Sequence, residues 1–340
     1  MDQSLRRGPI IDVHRHASGP DLQVRLSSIP REVFDERLSG FIYARKDIRF
    51  QTSGLGDIDV QVQGQDRAGV TKGLLSNPFL LAELRHHVGA IAQEVAAIVN
   101  DDLAAVVAKH PRNLDFLATV HPFEPGCIEE AERGLTQLGA KGLSLSTSYA
   151  GRWLDDRTLD PFWEYVQSRD VAIFLHPPAT PAWLSFNDIY RMQEMLHRPF
   201  DEMMNTTRMI YSGVFDRYPR LKIVLPHAGG GIMNLLGRLD YSYRLGFAGL
   251  PSEDAATCQR QPSAYIGTNL YVELGASFSP TTVRQALALF GSDHVLFGTD
   301  YPAVFLPIEE QIAIVTQLDT EPAIVEQILW RNASALFRLE

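Results

Sequence analysis

Cysteine is nearly absent from this 340-residue chain: Cys127 and Cys258 are the only two. They form no C-x-x-C pair, so a disulfide scaffold is not indicated. No apolar run reaches the roughly 18 residues that a membrane-spanning helix needs. The opening segment, Met1 to Gly8, is polar and lacks the apolar centre of a signal peptide. Positive charge is short as well: 31 Lys and Arg against 41 Asp and Glu leave a net charge of −10. That balance disfavours nucleic acid and anionic membranes as partners; a small anion could still be received by arginines within a pocket. No Gly-rich dinucleotide loop follows the first strand candidate, and no low-complexity tract or short repeat occurs. The expectation is a cytoplasmic protein. What is present suits a soluble enzyme: 45% hydrophobic residues can form a large core, and 21% charged residues are too few for disorder.

Strand-length apolar stretches recur about eight times, at 10–16, 69–76, 115–121, 141–147, 171–176, 222–227, 270–275 and 295–299. Helical spacing fills the gaps. Across 80–108, Leu80, Leu84, Val88, Ile91, Val95, Val99, Leu103 and Val106 recur at intervals of three and four. Asn77-Pro78 offers that helix a cap and a first-turn proline. Residues 127–138 place Ile128, Ala131, Leu135 and Leu138 on one face, with Gly139 as the stop. A helix over 199–217 ends before Tyr218-Pro219, and others are expected at 280–290, 307–318 and 322–338. Strands alternating with helices predict a parallel sheet, and eight repeats predict its closure into one (β/α)8 TIM barrel domain over 1–340. Two connections, 17–68 and 247–268, are long enough to form walls above the barrel mouth.

His14 and His16 end the first strand candidate, Pro9-Ile10-Ile11-Asp12-Val13-His14-Arg15-His16. Side chains two apart on a strand share a face, so both imidazoles can bind one ion. Three later apolar runs also stop at a ligand-type residue: Val171 to His176, Leu221 to His227, and Val295 to Asp300. Continuous apolar runs suit strands buried on both faces. In a β/α barrel the C-terminal strand ends converge on one mouth. Imidazoles with one carboxylate suit Zn²⁺, Mn²⁺ or Fe²⁺.

These segments carry a resemblance. Ile11-Asp12-Val13-His14-x-His16, Phe174-Leu175-His176-Pro177, Pro226-His227-Ala228-Gly229-Gly230-Gly231 with Gly237-Arg238, and Leu296-Phe297-Gly298-Thr299-Asp300-Tyr301-Pro302 resemble the amidohydrolase superfamily. The branch is the one that holds aminocarboxymuconate semialdehyde decarboxylase and the resorcylate-type decarboxylases. Ala140-Lys141-Gly142-Leu143 and Leu159-Asp160-Pro161-Phe162-Trp163 match too. The resemblance starts near residue 9, reaches the C-terminus and is weakest over 17–68. It implies that His14, His16, His176 and Asp300 hold one metal ion, with a position left open. It implies that His227 stands beside the ion as an acid–base group. Arg238, eleven residues on, is then expected to cross a dimer interface to the neighbour's substrate carboxylate. Arg45 and Arg49, in the long first connection, are further candidates for that anion. A second ion is disfavoured, because the fourth strand's only lysine, Lys141, lies at its start. The three glycines after His227 are expected to open a helix whose N–H groups could meet an anion.

Other polar residues have plainer readings. His86 and His87 are adjacent on a helix pattern, His110 ends one, and His197 and His294 lie beside helical connections. His121, Tyr149, Arg152 and Trp153 are candidates for pocket lining. Glu273 is either a barrel-interior polar residue or a partner of a ligand. The reading is a metal enzyme, zinc first with manganese or iron open, that removes CO₂ non-oxidatively from a small unsaturated or aromatic acid, as a homodimer or higher oligomer. Asp300 balances the ion's charge and can also shuttle a proton. Hydrolysis of a lactone or amide, with Asp300 as base, is the alternative, and hydration of a double bond comes next. A vestigial binding protein fits the intact His14, His16, His176, His227 and Asp300 less well.

Overall fold

The computed structural model describes residues 8–34, 55–85, 88–179, 189–246, 255–276, 279–304 and 306–339. The barrel strands are β1 (Ile11–Arg15), β2 (Lys72–Leu75), β3 in two pieces (Leu114–Phe116 and Ala118–Thr119), β4 (Leu143–Ser146), β5 (Ala172–His176), β6 (Lys222–Leu225), β7 (Leu270–Glu273) and β8 (Val295–Leu296). Each pairs in parallel with its neighbour in sequence order. The two pieces of β3 hold the ring together on one side: the first pairs with β2, the second with β4, and Leu117 N donates to Leu75 O between them. On the other side Val13 N donates to Phe297 O at 3.1 Å and Asp300 N to His14 O at 2.9 Å, so β8 closes onto β1. The structure is the expected (β/α)8 barrel, with every expected strand present.

The strands are apolar throughout because both faces are covered. Inside, Ile11, Val13, Leu74, Leu117, Ala172, Phe174, Val224 and Leu296 meet in one cluster, with Ala333 and Phe337 packed against it. Outside, one main helix follows each strand: α1 (Ile58–Ala68), α2 (Ile91–Lys109), α3 (Cys127–Thr136), α4 (Asp160–Ser168), α5 (Arg198–Tyr211), α6 (Leu236–Arg244), α7 (Pro280–Phe290) and α8 (Ile308–Thr316). Their apolar faces supply the outer core, as with Val95, Val99 and Leu103 on α2. Among the described residues no helix is long and apolar enough to cross a membrane, and both cysteines are free.

Several boundaries differ from the sequence expectation. The helix expected over 80–108 is two helices, Phe79–Ala82 and α2. Arg85 N is drawn away to Val33 O, Leu84 bridges to Phe34, and Gly89 takes φ +64°, so the chain turns before it resumes helix. Asn77 does not cap with its side chain; Nδ2 donates instead to Ala17 O at 2.6 Å. The connection over 17–68 is not all loop, since α1 occupies its end. The helix expected at 199–217 breaks after Tyr211, where Gly213 adopts φ +70°. The last helix, expected at 322–338, contains a wide turn at Gln327–Arg331.

Candidate active site

The site begins with an irregularity in β1. Asp12 faces Gly73 on β2, but Arg15 faces Leu75, so three steps on one strand match two on the other. Ile11 and Val13 point into the barrel. Strict alternation would send Arg15 inward next, since side-chain period is two. The extra residue reverses the parity. His14 therefore turns inward above Phe174, at 4.8 Å between ring centres. Arg15 turns outward to Gln65 on α1.

His14, His16, His176, His227 and Asp300 then meet at the C-terminal ends of β1, β5, β6 and β8. His16 lies 5.1 Å from His14 and 4.7 Å from His176 between ring centres. His14, His176, His227 and Asp300 offer ligand atoms that all lie within 4.8 Å of one another. Each imidazole is held from behind through Nδ1. His16 Nδ1 donates to Ser76 O at 2.6 Å and His176 Nδ1 to Pro177 O at 2.7 Å. His14 Nδ1 meets Glu273 Oε1 at 3.0 Å, and His227 Nδ1 meets Glu202 Oε1 at 2.6 Å. A carbonyl can only accept, so His16 and His176 carry a proton on Nδ1 and turn Nε2 to the centre; His176, held well below its ordinary value by burial, presents that Nε2 bare.

Asp300 divides the group. Its Oδ1 faces His14 Nε2 at 3.3 Å and His16 Nε2 at 3.1 Å. Its Oδ2 faces His227 Nε2 at 3.4 Å. The side chains of His14 and Glu273 are fully buried, whereas those of His227 and Asp300 are 14% and 12% exposed. The His227–Asp300 pair thus borders the mouth. Both residues sit at left-handed φ, +48° and +55°. Such a conformation costs on the order of 1–3 kcal/mol per non-glycine residue and persists where the surroundings enforce it.

Supporting groups fix this arrangement. Glu273, inward on β7, also accepts from His227 N at 2.6 Å. Gly298 is required beneath it: a Cβ there would lie 2.1 Å from Glu273 Oε2 and 2.9 Å from His14 Cβ. Asp12 accepts from Thr299 N and Oγ1 and from His14 N, which ties both strand ends together. Burial pushes the Asp12 carboxyl up to about 6.

The electrostatics differ around the ring. Burial and the neighbouring imidazoles His16 and His14 hold His176 well below its ordinary value, so it stays neutral. Burial would also lower His227, but Glu202 and Asp300 overcome it and raise His227 well above the usual range. Burial raises Asp300, yet His14, His16 and His227 bring it well below. His14 is raised by Glu273 and Asp300 against burial.

Such a donor set suits a metal ion. His14 Nε2 is buried and makes no hydrogen bond, although buried polar atoms nearly always make one. It points at the same centre as bare Nε2 of His176 and Oδ1 of Asp300. A histidine backed through its second nitrogen is the usual form of a metal ligand.

Of the residues expected at the site, these five converge. Arg45 and Arg49 lie outside the described residues, as do His86 and His87. Arg238 is exposed on α6. The three glycines do not open a helix: Ala228 to Gly231 are all left-handed, and α6 begins only at Leu236. His121 is buried against Tyr149, with ring centres 4.6 Å apart, and Arg152 lies over Phe123 at 3.9 Å. His110 pairs with Asp59, and His294 stacks on Tyr271. Glu202 escaped the sequence reading. Its signal was present: the inward face of α5 carries Asp201, Glu202, Asn205 and Thr206 where apolar residues belong.

Residues 11–339 match the amidohydrolase family. Gamma-resorcylate decarboxylase of Polaromonas sp. is 30% identical over 260 residues, covering 73% of this chain and 77% of that protein. The crystal structure of 5-carboxyvanillate decarboxylase from Sphingomonas paucimobilis superposes with a TM-score of 0.84 at 25% identity, covering 98% of this chain and 99% of that one. Dihydroxybenzoic acid decarboxylase from Polaromonas sp. JS666, solved with bound manganese and the inhibitor 2-nitroresorcinol, superposes at 0.74 with 26% identity and 98% of each chain. The barrel, the side chains that converge at its mouth and this match across nearly the whole length agree, and the protein belongs to the amidohydrolase family.

Proposed function

We propose that the protein is a metal-dependent carboxy-lyase, a single catalytic barrel domain that releases CO₂ from a small aromatic or unsaturated carboxylic acid. The supporting observation is the division of the site about Asp300, with ligand-type histidines on Oδ1 and His227 on Oδ2. Non-oxidative decarboxylation needs those two halves: R–CO₂⁻ and H⁺ become R–H and CO₂. The decarboxylase relatives favour it over hydrolysis.

A divalent ion held by His14, His16, His176 and Asp300 would supply Lewis acidity toward the substrate's oxygens. Zinc is the first candidate, and manganese, present in the dihydroxybenzoic acid decarboxylase, is its competitor. His227 delivers the proton that replaces the carboxylate at carbon, and Asp300 Oδ2 helps to hold or return it. An arginine orients the carboxylate through its two-pronged guanidinium; Arg238, Arg45 and Arg49 are the candidates.

In this reading Arg238, exposed on α6, serves a neighbour's site. It shares an exposed face of α6 with Tyr241 and Leu245, three and seven residues on, which are 58% and 54% exposed. The adjoining α5, joined to α6 by Tyr211 Oη donating to Leu239 O, exposes Phe200 and Met204. This apolar surface around Arg238 supports a homodimer. The two free cysteines agree with a cytoplasmic setting.

The test is CO₂ release by the Zn²⁺- or Mn²⁺-loaded protein from a panel of ortho-hydroxybenzoates, run in D₂O. One deuterium should appear at the carbon that lost the carboxylate. Hydrolysis of lactones or amides with no CO₂ from any acid would replace the lyase reading with the hydrolase.

A further inference from the structure

Helix α5 carries two consecutive buried carboxylates, Asp201 and Glu202, 0% and 1% exposed. Burying a carboxylate is costly unless charge and hydrogen bonds compensate. Asp201 is compensated at the end of β4: Thr147 Oγ1 donates to its Oδ2, and Ser148 Oγ lies 3.0 Å from Oδ1 and 3.1 Å from Oδ2. This pins α5 to the barrel rim. Glu202, one step round the helix, is aimed at His227 instead, with Oε1 2.6 Å from Nδ1. Its Oε2 is buried and makes no hydrogen bond. An oxygen left without a partner is a poor device for stability.

The close approach is built in from the other side too. Gly230, in the loop that follows His227, lies against the first turn of α5 at φ +62°. A Cβ there would sit 2.3 Å from Pro199 O and 2.8 Å from Glu202 Cβ. The loop and the helix touch with no room for any side chain. Glu202 therefore reaches Nδ1 with little freedom, which leaves His227 Nε2 facing Asp300 Oδ2.

We infer that Glu202 is a positioning residue for His227, accepting its Nδ1–H and so fixing ring rotation and the nitrogen that faces the substrate. The inference rests on the reading of His227 as the proton carrier. Because Glu202 touches none of the four proposed metal ligands, its effect runs through His227 alone.

The experiment uses the metal-loaded enzyme with Glu202→Met, nearly isosteric and without an acceptor, and Glu202→Gln, which keeps an acceptor oxygen. Glu202→Met should retain the metal, keep KM within about twofold and lose kcat by about 10²-fold, toward the lower end of a general acid–base contribution. Glu202→Gln should lose less. In a His227→Asn background, either change should lower kcat no further, since groups acting as one unit are not additive. Multiplying losses in the double variant, or unchanged kcat in Glu202→Met, would overturn the inference. Should Glu202→Met not fold, the Glu202→Gln, His227→Asn pair carries the same test. NMR gives a readout independent of turnover. A slowly exchanging downfield imidazole N–H, assigned by its disappearance in His227→Asn, should be absent from Glu202→Met and present in Glu202→Gln. Its persistence in Glu202→Met would overturn the positioning role. Full turnover of His227→Asn would instead remove the proton-carrier reading, and the N–H resonance would still report whether Glu202 holds the ring.

Discussion

His176 and His227 are the same side chain, on neighbouring strands, with ring centres 5.8 Å apart, yet their surroundings push them in opposite directions. His176 is backed by a backbone carbonyl and ringed by other imidazoles, so burial keeps it neutral. His227 stands between two carboxylates, which overcome burial and favour its charged form. A neutral imidazole has a lone pair for a metal ion; a charged one has a proton to give. The group behind Nδ1 thus separates the protonation of these two histidines; His14, backed by Glu273, keeps to the ligand side because it faces Oδ1 of Asp300, whereas His227 faces Oδ2.

Breaking one side of that contrast should have the largest effect. His176→Ala is expected to abolish turnover while the circular dichroism spectrum and the cooperative unfolding transition remain. His227→Asn should lower kcat by about 10²–10⁴-fold, measured with the metal-loaded protein. Turnover at the wild-type rate would pass the proton step to another group, with His121 next to test.

A subtler cut is the support behind a ligand. Glu273→Gln should weaken metal affinity by about 10–100-fold, the usual cost of losing a partner behind a metal-bound histidine; competition with a chelator measures it. Unchanged affinity would mean that the Glu273–His14 contact only stabilises the barrel.

The pH dependence sharpens the contrast in metal-free protein. A raised folded pKa means that the stabilisation is complete below the unfolded value, about 6.5 for histidine, and is lost as pH rises through the folded value. The melting-temperature advantage of wild type over His227→Asn should therefore narrow as the pH rises above about 6.5 and through the raised folded value. His176, depressed in the folded state, acts oppositely and costs stability as pH falls below about 6.5. A wild-type advantage that widens with alkali would contradict the carboxylate clamp on His227.

The smallest effect concerns assembly. Arg238→Ala should weaken substrate binding and leave the metal in place. Mixing it with His227→Asn should restore up to about a quarter of wild-type activity, because half of a random mixture is mixed dimer with one complete site in two. No recovery under subunit exchange would place the arginine in its own subunit's service or outside the site.

Much of this was legible in the sequence, for a physical reason. Buried parallel strands are continuous apolar runs, and four of the eight runs here stop at a residue that reaches the site. His14, His16, His176, His227 and Asp300 could thus be picked out by position alone. Three features could not. The extra residue in β1 that turns His14 inward depends on pairing with β2, a relation between distant segments. The Glu202 contact depends on how closely α5 docks, which Gly230 permits only in three dimensions. The break between Ala82 and Ile91 arises from backbone bonds to Val33 and Phe34 that override helical spacing.

The most direct measurement is the metal content of His176→Ala and His227→Asn, loaded in parallel with Zn²⁺ or Mn²⁺ and assayed by elemental analysis. Division of the site about Asp300 predicts wild-type stoichiometry in His227→Asn and strong depletion in His176→Ala. Equal depletion in both variants would place His227 among the ligands and contradict that division.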